Sequence, residues 1–180
     1  MLLAAIPMVG GSATVLVDKK IAERQNERLT AYLSDIVSRL ESLEEKGFPS
    51  DQMIEKGAES SKLSFEAWKP YLFAAIVAGK AVKADEVVRH SLIECVSNLS
   101  ELEFCTLTSL AVGGPELKIV AEFSELRAVL SKLEAQDAAV VALRNAAFSR
   151  LQSYGLINRE SKGAATPTQL GMRLLELASE

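Results

Sequence analysis

The sequence predicts an all-α fold of six or seven helices with one small β-hairpin near residues 157–166. Three observations lead there. Apolar residues recur at helical spacing along most of the chain. Capping signatures at Ser100 and Thr166 mark helix starts. The pair Leu156-Ile157 is followed by NRESKGAATP, a polar, glycine-bearing stretch able to turn back on itself. The 180 residues are 48% hydrophobic and 24% charged, enough to bury a core and too apolar for global disorder. A net charge of −4 excludes a broadly basic nucleic-acid binder while leaving room for a local basic face.

Mean hydropathy is +0.14, and the start of the chain accounts for much of it. Residues 1–17, MLLAAIPMVGGSATVLV, carry no charge and are followed by Asp18-Lys19-Lys20. A secretory signal would be expected to place its cations before the apolar run, not after it. Seventeen residues give about 25 Å of helix, the lower limit for a membrane span. Pro7 and Gly10-Gly11 interrupt the run. The segment suits a helix buried in a core or subunit interface. Alternatively it lies against a membrane, with Lys19, Lys20, Arg24 and Arg28 holding the remainder on the cytoplasmic side.

From Asp18 to Lys46 a long charged helix is expected, stopped by Gly47 and Pro49. Leu29, Leu33, Ile36, Leu40 and Leu43 step by four and three residues, a seam of 3.5-residue period. Such a seam packs either on its own domain or on a second copy, which makes these five residues the self-association candidates. Residues 48–64 read as a connection with a short helical piece after Ser50. In the next helix Trp68, Leu72, Ala75 and Ile76 point inward, with Pro70 in the first turn. Asp85 is placed to cap another, with Val88, Leu92, Cys95 and Leu99 inward and Arg89 and His90 off that stripe.

Ser100-Glu101-Leu102-Glu103 is a capping box, opening a helix that carries Leu102, Leu107 and Leu110 and ends at Gly113-Gly114-Pro115. A single helix is expected over 116–135, on Ile119, Phe123, Leu126, Leu130 and Leu133. Asp137 caps the next, with Val140, Leu143, Ala147, Leu151 and Tyr154 inward. Gly155 supplies the left-handed residue of a Schellman ending. In the final helix Thr166 is expected to cap, Pro167 to take the first position, Gln169 to complete the box, and Leu170, Leu174 and Leu177 to face inward. The chain thus divides into 1–47, 48–96 and 97–180.

The order helix, Gly-Leu-Ile, hairpin, T-x-x-Q-L-G-x-x-L-L resembles the end of a winged-helix domain. The likeness covers roughly residues 97–180, and the long 116–135 helix departs from it. In DNA-binding members the helix before the wing enters the major groove. That resemblance implies nucleic-acid contacts from Arg144, Asn145, Arg150 and Gln152 on the helix and Arg159 and Lys162 on the wing. Five basic against four acidic residues from 137 to 180 give +1, thin for phosphate binding. The stretches IPMVGGSATVLVDKKIAERQNERL, LQSYGLI and TPTQLGMRLL also resemble bacterial abortive-infection alpha-type proteins. This implies a bacterial, prophage- or phage-defence-linked protein and no catalytic residues.

Little in the sequence suggests catalysis. The one histidine, His90, lies five residues from Cys95, which is no zinc spacing, and Cys95 and Cys105 sit in apolar contexts that suit reduced core thiols. There is no G-x-S-x-G and no H-E-x-x-H. Glu86 and His90 share a helix face but lack the further ligands of a di-iron site. No cofactor or metal is implied. The expectation is a non-enzymatic, cytoplasmic helical protein that self-associates. The alternatives are a winged-helix DNA-binding regulator and an effector anchored at the inner membrane by residues 1–17. A polar cleft gathering His90 with several carboxylates would point instead to chemistry.

Overall fold

The decapeptide KPYLFAAIVA has no polar stripe, so as a helix it must be covered on every side. The computed structural model describes residues 10–41, 48–78, 86–111, 117–160 and 164–180, with side chains from Val17 onward. In it this segment is helix α3 (Lys69–Ala78), buried throughout except at half-buried Tyr71. Four helices surround it: α1 (Gly10–Leu40), α2 (Asp51–Leu63), α4 (Glu86–Asn98) and the last, α9 (Gln169–Ser179). Between α4 and α9 run α5 (Glu101–Leu110), α6 (Lys118–Glu122), α7 (Ser124–Leu133), α8 (Ala138–Ser153) and the strands β1 (Ile157–Arg159) and β2 (Ala165–Pro167). The fold is all-α with one small hairpin. β1 and β2 pair antiparallel with Asn158 opposite Thr166. One buried cluster runs from Tyr32 to Ala178, so the three sequence regions share a core. Trp68 joins its halves by stacking on Phe104, ring centroids 4.7 Å apart.

Helix α1 spans Gly10–Leu40, so the end of the apolar run and the charged stretch form one element where two were expected; residues 42–47, with Lys46, lie outside the described residues. The inward face of α1 is also rotated from the leucine seam. Tyr32 and Ile36 are buried, Leu29 and Leu40 half-buried, and Leu33 is 44% exposed; Leu43 lies outside the described residues. An aromatic ring buries more area than leucine and takes the centre of the face. The Tyr32 hydroxyl donates to the Ile54 carbonyl at 2.9 Å, and burial pushes its pKa up. The ring lies where a Cβ on Gly57 would be, 2.5 Å from the hydroxyl oxygen. Gly57 therefore serves as a slot within α2. The short helical piece expected after Ser50 is a helix of 13 residues, capped by the Ser50 side chain.

The helix expected over 116–135 is broken at Phe123, whose backbone is extended at φ −105° and ψ 113°. Its ring packs on that of Tyr71, centroids 5.4 Å apart. The result is a one-turn α6 and a ten-residue α7 joined to α8 by a short connection. In α8, Ala147 and Leu151 are buried and Val140 and Tyr154 half-buried, but Leu143 is 54% exposed. In α4 the buried stripe is Leu92, Ile93 and Val96, with Leu99 just beyond, while Val88 and Cys95 are half-buried. Asp85 and residues 113–115 lie outside the described residues.

The capping box at Ser100 forms as expected, Glu103 accepting from the Ser100 backbone at 2.7 Å. The Schellman ending also forms: Leu156 donates to the Leu151 carbonyl, Gly155 to that of Gln152, and Gly155 has φ +69°. The last cap is shifted by two residues. Thr166 and Pro167 belong to β2, and Thr168 caps α9, accepting from Gly171 at 3.1 Å. The reason is a weld between the helix and the preceding turn. The Thr168 hydroxyl donates to the Gly155 carbonyl at 2.7 Å, and its backbone donates to that of Leu156 at 2.9 Å. Gly171 packs so closely that a Cβ there would stand 2.2 Å from the Leu156 carbonyl oxygen. The Gly-Leu-Ile and T-x-x-G motifs are thus two halves of one joint.

Two glycines should fail for different reasons. Gly155→Ala meets open space and suffers only from its positive φ, a cost of about 1–2 kcal/mol. Gly171→Ala collides with backbone and should cost about 3 kcal/mol. Thermal denaturation checks both, at roughly 2–4 °C per kcal/mol for a chain of this size. Equal melting temperatures would contradict the joint.

Candidate functional site

Three places could carry function: the face formed by α8 and the hairpin, the surroundings of His90, and the free part of α1. On the first, the structure brings together only some of the expected nucleic-acid residues. Arg159 on β1 donates to the Asn145 side chain on α8 at 3.2 Å and lies over the Phe148 ring at 5.9 Å. Arg150 turns away, pairing with Glu103 on α5 at 2.9 Å. Glu103 is 2% exposed, and its other oxygen holds the Ser100 backbone and hydroxyl. Hydrogen bonding to Tyr154, then Glu103, raises the Arg150 pKa further. Arg173 pairs with Glu176 at 3.4 Å. Arg144 is half-buried, Gln152 is exposed, and Lys162 lies outside the described residues. Arg150 thus compensates a buried carboxylate, a role with no local sequence signal because its partner lies on another helix.

The second place joins α2 to α4. Lys56 contacts His90 Nε2 and reaches Glu94 Oε1 at 3.1 Å; His90 Nε2 is 3.2 Å from the same oxygen. Lys56 was missed because its partners lie on another helix, beyond the reach of any local spacing. Beside this trio runs a groove of about 600 Å³, with Met53, Leu63 and Val87 among its apolar lining and Glu55, Glu59 and Glu86 among its carboxylates. The expected warning sign, His90 among carboxylates, is therefore partly met, but the chemistry is poor. Nε2 lies against both the Lys56 ammonium and the Glu94 carboxylate, so the nitrogen a general base would use is already engaged within the chain. The Lys56 hydrogen bond and charge hold Glu94 below the usual carboxylate range, unlike a general acid. The imidazole and carboxylate are 50% and 62% exposed, so water screens both. Among the described residues no group of three or more His, Cys, Asp or Glu is arranged to hold a metal ion.

The two cysteines behave as core thiols. Cys105 is buried and donates to the Leu126 carbonyl at 3.2 Å, and burial pushes its pKa up to about 12. Cys95 is half-buried and also raised, by burial and then by Glu94.

The third place is α1 itself. Residues 17–24 are exposed without interruption, more than two turns uncovered on every side. Val17 and Ile21 are 54% and 49% exposed. Of the self-association candidates, Ile36 and Leu40 pack on the core of their own chain, and Leu33 faces water. Among the described residues no helix is long and apolar enough to cross a membrane. No family model matches the chain, and no curated protein or solved structure matches it significantly.

Two measurements test these assignments. Glu103→Ala should lower stability by about 1–2 kcal/mol through loss of the cap. Arg150→Glu should lower the melting temperature as well, because it sets like charges together; an unchanged melting temperature would return Arg150 to the list of free surface cations. At pH 8 a thiol reagent should leave Cys105 untouched in the native protein and modify both cysteines after denaturation. Rapid native reaction of both would contradict the burial.

Proposed function

We propose that this chain is a non-enzymatic helical interaction protein that self-associates through the free N-terminal part of α1. One observation carries the reading: the helix continues past its own core for residues 17–24, with Val17 and Ile21 in water. A few helical turns with no packed face are marginal in water, since most helical stability in proteins comes from tertiary packing. The preceding sequence is uncharged back to Met1, a composition that suits a helix covered by a partner. The face formed by α8 and the hairpin supports a nucleic-acid role less well, because Arg150 and Arg159 have partners within the chain.

Sedimentation velocity from low to high micromolar concentration tests the proposal. The expected result is a mass rising above the 19.4 kDa monomer with concentration. Val17→Asp with Ile21→Asp should return the chain to monomer without lowering its melting temperature, since neither side chain packs on the core. A wild-type protein that stays monomeric throughout overturns the reading.

A further inference from the structure

Where the arm would seat is suggested by two surfaces of opposite character. On α1, Val17, Lys20, Ile21 and Arg24 fall at i, i+3, i+4 and i+7, so an apolar pair and two cations share one face. Helices that dock into grooves present anchors at this spacing. Lys19 and Glu23 lie on the opposite side, 3.9 Å apart, and neutralise each other. The groove between α2 and α4 is the complement. It offers Met53, Leu63 and Val87, with Leu63 70% and Val87 67% exposed, beside the carboxylates Glu55, Glu59 and Glu86. Among the described residues Glu55 and Glu59 take part in no ion pair, while Lys56 is engaged by Glu94 and His90.

We propose that the α1 face formed by Val17, Lys20, Ile21 and Arg24 of one copy docks in the α2–α4 groove of a second copy, the apolar pair against Leu63 and Val87 and the cations against Glu59 and Glu86. This rests on the self-association reading and specifies its surface. The groove is negative and partly apolar, and this arm is exposed, positive on the matching face and present at equal concentration. Charge complementarity of this kind sets register and partner choice. It makes association weaken with added salt, because the cations remain near water.

A charge exchange tests it. Lys20→Glu with Arg24→Glu in one preparation, and Glu59→Lys with Glu86→Lys in another, should each weaken self-association about tenfold or more, as measured by sedimentation or fluorescence titration. Mixed, the two variants should recover association with each other, since every repelling pair becomes an attracting one. Lys19→Glu is the control and should change affinity little. Circular dichroism and melting temperature establish that each variant is folded, and Glu59→Gln with Glu86→Gln serves if the reversal unfolds the chain. Association of the wild type that survives both reversals, or a folded mixture that fails to recover, overturns the groove assignment while leaving self-association standing. A monomeric wild type overturns both.

Discussion

The structure is organised around a helix that cannot face water. Burying α3 on all sides is possible only if neighbours arrive from several directions, and the chain supplies them from both ends: α1 and α2 before it, α4 immediately after it and α9 from the far terminus. Polar groups at its ends are accommodated rather than excluded. Lys69 is 3% exposed, yet its ammonium reaches the Ser97 carbonyl and the Glu66 carboxylate, both at 3.1 Å. At the other end Arg89 donates to the carbonyls of Ile76 and Val77, satisfying acceptors that a helix leaves open. Burial lowers the Arg89 pKa from its ordinary value, a shift that Glu86 and Glu180 partly oppose.

Much of this was legible because it depended on local rules. The Ser100 capping box and the Schellman ending at Gly155 are decided by side chains within a few residues of the backbone groups they serve. The exceptions share a cause. Gly57 looks like a helix breaker until Tyr32 is placed upon it, and Phe123 looks like a helix interior until Tyr71 is placed beside it. Thr168 takes the cap from Thr166 because Gly155 and Leu156 offer it two carbonyls. In each case a contact between residues distant in sequence outweighed the local preference.

The candidate sites were less legible for the same reason. Arg144, Asn145, Arg150 and Arg159 stand close enough in sequence to suggest a basic face. Two of them join each other, and Arg150 leaves for Glu103, 47 positions away. Lys56, His90 and Glu94 meet only because α2 and α4 lie side by side, which no spacing rule could show. The leucine seam in α1 shares Ile36 with the buried face, but that face is centred on Tyr32, a tyrosine with its own slot.

The position of α9 bears on how the protein is made. Helix α3 leaves the ribosome well before α9, the helix that closes its last side. About a hundred residues separate them, so at ordinary translation speeds the nascent chain carries an incompletely covered apolar rod for on the order of 5–20 s. Vectorial synthesis therefore creates a window in which chaperone capture competes with productive collapse. A stop codon anywhere before Gln169 would make that window permanent.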